Sequence, residues 1–143
     1  MKKIILFLII ITNIARADCF IATKNDKIII KEGEWAKRYA PGSTFKIALG
    51  LMGFDSEILI DTNNPTWPNA NNSYPNVCKG AHNPHTWMRD SCVWYSNKIT
   101  AKLGREKFQE YITKFHYGNM DLTGGLTEAW LSSSLQISPT EQI

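Results

Sequence analysis

The chain has 143 residues, 43% of them hydrophobic and 20% charged, the balance of about one globular domain. That composition excludes a wholly disordered tail and a collagen-like chain, and no internal repeat suggests a solenoid. The formal charge of +3 traces to Lys2, Lys3 and Arg16 in a leading stretch without acids. The remainder is neutral and has no electrostatic footprint for nucleic acid.

The front of the chain reads as an address. Lys2-Lys3 is followed by the apolar run Ile4 to Ile11 and then by Ala15-Arg16-Ala17, the three parts of a secretory signal peptide. The run is shorter than the ~20 residues that span a bilayer. Residues 1–17 are therefore read as a cleaved signal. The mature domain is residues 18–143, periplasmic or secreted, with no membrane attachment after cleavage. Export permits disulfides, but Cys19, Cys78 and Cys92 are an odd number. At most one pair can form, and the sequence does not choose it.

The predicted elements follow in order. Cys19 to Thr23 and Lys27 to Lys31 flank Lys24-Asn25-Asp26 and read as a β-hairpin, because Asn and Asp tolerate turn geometry. From Phe45, the apolar residues Ile47, Ala48, Leu49, Leu51 and Met52 cover nearly the whole circumference, which predicts a buried helix stopping near Gly53. Between residues 61 and 86, Pro65, Pro68, Pro75 and Pro84 block any long helix and predict a packed loop region. Ser91 to Phe115 is helical, with Ile99, Leu103, Phe108, Tyr111, Ile112 and Phe115 inward and Gly104 dividing it. Glu110 and Lys114 are expected to pair on the wet face. Trp130 to Ile137 is a further apolar segment, and Ser138-Pro139-Thr140-Glu141 reads as a new helix start. One hairpin is little sheet for this much helix, and the chain stops as that last helix begins. It reads as cut short.

Ser43-Thr44-Phe45-Lys46 puts a hydroxyl and an amine one helical turn apart on one face. Serine is a weak nucleophile without a base, and lysine is a base only when neutral, a state that burial favours. The free N–H groups of a helix start, including that of Ser43, can stabilise an oxyanion. The alternative has Ser43 capping the helix and Lys46 in water. What favours chemistry is a lysine inside an otherwise unbroken apolar stretch. Ser91, in Ser91-Cys92-Val93, is either a helix N-cap or a second hydroxyl able to relay a proton. Tyr117-Gly118-Asn119 suits a helix-ending turn. Trp130 is a core aromatic whose indole N–H can donate to a buried anion. Cys78, His82 and His85 match no common zinc spacing, so no metal site is expected. His116 is read as a helix-end residue, since no paired acid is in view.

Taken in this order, Pro41-Gly42-Ser43-Thr44-Phe45-Lys46, Ser91-Cys92-Val93, Tyr117-Gly118-Asn119 and Trp130-Leu131 with Leu135-Gln136-Ile137-Ser138 resemble the class D serine β-lactamases, the oxacillinases. The likeness runs from about Cys19 to Ile143. It implies an α+β fold of the penicillin-recognising serine hydrolase type, here with the helical region and the hairpin but without the C-terminal strands and helix. It also implies a β-lactam substrate and a serine acyl-enzyme, with Ser43 as nucleophile and Lys46 as general base. That lysine would be N-carboxylated by carbon dioxide or bicarbonate, with no other cofactor. By the same resemblance Ser91 passes a proton to the lactam nitrogen, Val93 keeps the pocket dry and Trp130 donates to the carbamate. Tyr117, Gly118 and Asn119 shape the site floor. The family's Lys-Thr/Ser-Gly motif does not occur in these residues, so the isolated chain is expected to be poorly stable and largely inactive. A second reading from the shared nucleophile motif is a penicillin-sensing domain that is acylated without turnover.

Overall fold

The computed structural model describes residues 19–69 and 75–143. The segment read as a signal peptide lies outside them. Two compact units are present, one ending at Trp35 and the other spanning Ala36–Ile143.

The first unit is the expected hairpin. Strands β1 (Cys19–Lys24) and β2 (Lys27–Gly33) pair antiparallel, from Cys19 opposite Gly33 to Lys24 opposite Lys27. Asn25 and Asp26 both take positive φ, 51° and 58°, as the mirror-image two-residue turn of a tight hairpin requires.

Helices dominate the second unit: α1 (Phe45–Asp55), α2 (Pro84–Asp90), α3 (Val93–Lys114) and the single turn α4 (Ala129–Ser132). Phe45, Leu49 and Met52 of α1 meet Tyr95, Ile99, Phe108 and Ile112 of α3 in the core, with Trp87 and Trp130 closing its ends. Each such apolar side chain contributes about 1.5–3 kcal/mol by leaving water. Gly104 divides α3 at φ 72° and ψ 167°, where the sequence places the break. All five inward residues from Ile99 to Ile112 are buried, and Phe115 packs at their margin.

Several expectations are corrected. Helix α1 is buried on one side only, since Ile47, Leu51 and Phe54 are 69%, 60% and 44% exposed. An all-apolar circumference therefore does not mean an all-buried helix here. The helix also runs past Gly53 to Asp55, and the bare Cα at Gly53 admits Leu59 from outside: a Cβ would lie 2.7 Å from its Cδ1. The sequence reading does not foresee α2: Pro84 blocks no helix behind it but opens this one, with Asn83 as N-cap in a reciprocal pair of bonds with Thr86. Proline's missing N–H costs nothing in a first turn. Glu110 and Lys114 form no ion pair among the described residues. The segment from Ser138 makes one 3-10 turn, Pro139–Glu141.

The cysteine ambiguity resolves into a Cys78–Cys92 disulfide, leaving Cys19 as the free thiol. Cys78 sulfur is thereby occupied. His82, its neighbour in the loop, has its ring nitrogens beside the carbonyls of Val77 and Gly80. No helix of the described residues is long and apolar enough to cross a membrane.

Candidate active site

Pro41 leads into a 3-10 turn, Gly42–Thr44, that runs straight into α1. Ser43 sits in that turn and Lys46 one turn later, so their side chains converge as the i, i+3 spacing requires. Lys46 Nζ donates to Ser43 Oγ at 2.9 Å and to Ser91 Oγ at 2.9 Å. Ser91 Oγ in turn donates to Ser43 Oγ at 2.9 Å. Three side chains separated by up to 48 positions thus close a triangle.

Neither capping alternative holds. The N-cap position of α1 belongs to Thr44, whose hydroxyl bonds back to the Pro41 carbonyl at 2.8 Å. Cys92 occupies the N-cap of α3, while Ser91 ends α2 in the left-handed region at φ 59°, ψ 39°. Both serine hydroxyls are turned toward the amine. Lys46 itself is only 3% exposed. Its burial lowers the pKa below the ordinary lysine value, because a charged ammonium is worse solvated there than in water.

The remaining sequence candidates frame this triangle unequally. Trp130 is buried and stacks on Phe45 at 5.3 Å between ring centroids, and α4 packs on the turn that carries Ser43. Among the described residues its indole N–H makes no hydrogen bond. Tyr117 meets the edge of Phe45 at 5.3 Å, and burial raises its phenol to about 12, with the Thr44 hydroxyl offsetting part of the rise. Gly118 and Asn119 are anchors of a loop. Asn119 N–H donates to the Gln136 carbonyl at 2.9 Å, and its side chain binds Ser134 O and Gln136 N at 2.7 and 2.9 Å. Val93 opens α3, half-buried, two residues beyond Ser91. His85 lies in α2 and His116 follows α3 at a positive φ of 50°; neither joins the triangle.

Sequence reasoning missed the supports of this arrangement. An antiparallel bridge joins Tyr39 to Ile137, and Arg38 bonds Glu141 through Nε at 3.1 and 3.0 Å. The opposite charges of Arg38 and Glu141 were a readable signal, but nothing local pairs residues 103 positions apart.

A lysine amine, rather than a histidine, rests on the serine hydroxyl, the pairing of residue types that serine–lysine nucleophile sites use. Residues 22–143 match the model of the penicillin binding protein transpeptidase domain, and the chain belongs to that family. It is 45% identical over 124 residues to the β-lactamase OXA-9 of Klebsiella pneumoniae, covering 80% of this chain and 45% of the relative. The crystal structure of the class D β-lactamase OXA-427 superposes with a TM-score of 0.77 at 43% identity, over 80% of this chain and 51% of that one. The C-terminal domain of the BlaR penicillin receptor of Bacillus licheniformis gives 0.72 at 32% identity, over 77% and 44%. The chain spans about half the length of the curated β-lactamases it matches.

Proposed function

We propose that this chain carries the nucleophile-bearing part of a class D serine β-lactamase, with Ser43 as nucleophile, Lys46 as base and Ser91 as proton relay. The observation that carries the reading is a nearly inaccessible lysine amine 2.9 Å from both serine oxygens. Lowering of its pKa by burial favours the neutral form that a base requires.

Ser43 Oγ attacks the lactam carbonyl carbon as its proton moves to Lys46. The Ser43 N–H precedes the first bonded amide of the turn, that of Thr44 to Pro41 O at 3.2 Å, and offers one donor to the oxyanion. As the lactam C–N bond breaks, the proton passes through the Ser91 hydroxyl to the leaving nitrogen, giving an acyl-serine. Water then attacks the ester and releases the opened product.

Lys46 also fits N-carboxylation. Its amine is buried, and no carboxylate among the described residues neutralises it. A carbamate formed there with carbon dioxide would supply an anionic oxygen base that is free of its proton at neutral pH. Trp130, buried beside Phe45 with an indole N–H that bonds none of the described residues, is the donor suited to hold it. Tyr117 and Val93 limit water at the margin, and Gly118 and Asn119 keep the facing loop in place. Export through the segment Lys2 to Ala17 agrees with the Cys78–Cys92 disulfide, which needs an oxidising compartment.

Incubation of the 143-residue chain with a fluorescent penicillin tests the assignment. A covalent mass increase in the wild type that is lost in Ser43→Ala supports it. Equal labelling of the two rejects Ser43, and indifference of turnover to bicarbonate rejects the carboxylated lysine. Likeness to the BlaR receptor domain supports a second reading, acylation without release. An adduct that persists for hours with no opened product in solution would favour that sensor over the hydrolase.

A further inference from the structure

Ser91 meets Lys46 and Ser43 from a backbone position that serine seldom holds, φ 59° and ψ 39°. Its hydroxyl is engaged within the triangle and its N–H closes α2 on the Trp87 carbonyl, so neither ties it to the loop beside it. The residues on either side of it are tied instead to one loop. Cys92, fully buried, is bonded to Cys78. The Cys78 carbonyl accepts from Trp94 Nε1 at 2.9 Å and from Asn69 Nδ2 at 3.1 Å. On the other flank, Asp90 Oδ2 lies 3.6 Å from Nε2 of His82, which is 4% exposed. His82 is paired through its backbone with Trp67 at 2.8 and 3.0 Å. Arg89 closes on both Asp90 oxygens at 2.7 and 2.8 Å. The serine is thus bracketed against the loop from Cys78 to His82 by a covalent link one residue after it and, one residue before it, by a 3.6 Å contact to an imidazole whose Nε2 also lies 3.0 Å from the Val77 carbonyl.

We infer that the Cys78–Cys92 disulfide and the Asp90–His82 contact are positioning residues for the relay serine, holding its hydroxyl on Lys46 and Ser43. The inference rests on the reading of the triangle as a nucleophile site. A staple placed merely for stability has no need to end beside Ser91, nor to be matched by a second tie on its other flank. The loop closed by the disulfide is short, with a sequence separation of 14, so slack introduced there is passed directly to the residue next to Cys92. A shift of about 1 Å in a catalytic group can cost ~100-fold in rate.

The test compares the 143-residue chain with its Cys78→Ala/Cys92→Ala variant, each with and without Ser91→Ala. Two quantities are read: the rate of acylation by fluorescent penicillin, and the pH midpoint of Lys46 followed by NMR of 13C-lysine. Removing the disulfide is expected to slow acylation ~10- to 100-fold and to move the Lys46 midpoint up toward the ordinary lysine range, as water reaches the amine. In the Ser91→Ala background the same removal is expected to change neither, because the bracket acts through that hydroxyl. Equal effects in both backgrounds, or a lowered melting temperature with the Lys46 midpoint unmoved, overturn the inference and leave a plain staple. If the wild type takes up no penicillin, the acylation reading fails by itself while the Lys46 midpoint still decides the positioning. Should the cysteine variant not fold, Asp90→Asn loosens the other flank with the disulfide intact, and the same pattern is required of it.

Discussion

Lys46 pays for its place in the fold, and replacing it separates stability from chemistry. Its amine is buried among apolar neighbours, and its hydrogen-bond partners are two neutral hydroxyls. Burial therefore lowers its pKa below the ordinary 10.5. Below the lowered pKa, both folded and unfolded chains carry the proton and the folded state bears the full desolvation cost. Between that value and 10.5 the unfolded chain binds more protons, so stability rises with pH. Lys46→Met keeps the length of the side chain and removes the charge, while Ser91 and Ser43 still satisfy one another at 2.9 Å. We expect the variant to be more stable at neutral pH by about 1–2 kcal/mol, the usual trade of stability against function at such sites. The gain shrinks as the pH approaches 10.5. Acylation should fall ~100- to 10,000-fold, the worth of a general base. Thermal melts across the alkaline range, beside labelling rates, check both halves; a variant less stable than wild type at pH 7 contradicts the first.

On the scale of elements, α1 offers a contrast within three residues. Leu49 is fully buried against α3 and Leu51 is 60% exposed, so Leu49→Ala should cost about 2–5 kcal/mol and Leu51→Gln within ~0.5 kcal/mol. Denaturant titration of the two variants reads this directly, and equal losses would mean that the outer face is covered. The loop at Tyr117-Gly118-Asn119 is less forgiving. Gly118 has φ 52°, and a Cβ there would stand 1.9 Å from the Gln136 carbonyl oxygen. Backbone faces backbone, so Gly118→Ala cannot relax by turning a side chain. It should lose more than ~3 kcal/mol, seen as a large drop in Tm or as loss of soluble protein. These cases mark what the sequence makes legible. Local rules are enough for the hairpin turn at Asn25-Asp26, the break at Gly104, the inward stripe of α3 and the Ser43–Lys46 spacing, each written within a few residues. Helix α1 passing through Gly53, its exposed face and the choice of Cys78 as partner for Cys92 depend on what lies across the fold. No spacing encodes a neighbour such as Leu59. The same limit left Ser91 open between a helix cap and a relay hydroxyl, because a motif records order along the chain and not convergence.

Over the whole of the second unit, the two ends of the chain segment are joined by one strand-like bridge and one ion pair. Tyr39 and Ile137 exchange backbone bonds of 3.0 and 2.9 Å, and one turn away Arg38 grips Glu141. Glu141 also accepts from the Ser138 N–H at 2.9 Å and from its hydroxyl at 2.7 Å. The Arg38 hydrogen bond is the largest influence on that carboxyl; burial, next in size, opposes it, while the Ser138 bonds and the Arg38 charge add to it, and the outcome is a pKa held at about 2. A carboxylate depressed in this way stabilises the fold above its unfolded value of 4.5. That contribution is lost as the pH falls from there toward 2, because the unfolded chain takes up the proton first. Glu141→Gln should therefore lower Tm at pH 7 by a few degrees, and the gap from wild type should close between pH 4.5 and 2. The pair is partly open to water, with Arg38 44% and Glu141 31% exposed in their side chains, so salt must weaken its charge component. In ~1 M salt, where screening acts within ~3 Å, the gap at pH 7 should narrow without vanishing, since the Ser138 bonds survive. Melts of both proteins from pH 7 to 2 at low and high salt provide the measurement. A gap constant over that range would mean that Glu141 acts through packing, and that the bridge at Tyr39 holds the ends together alone.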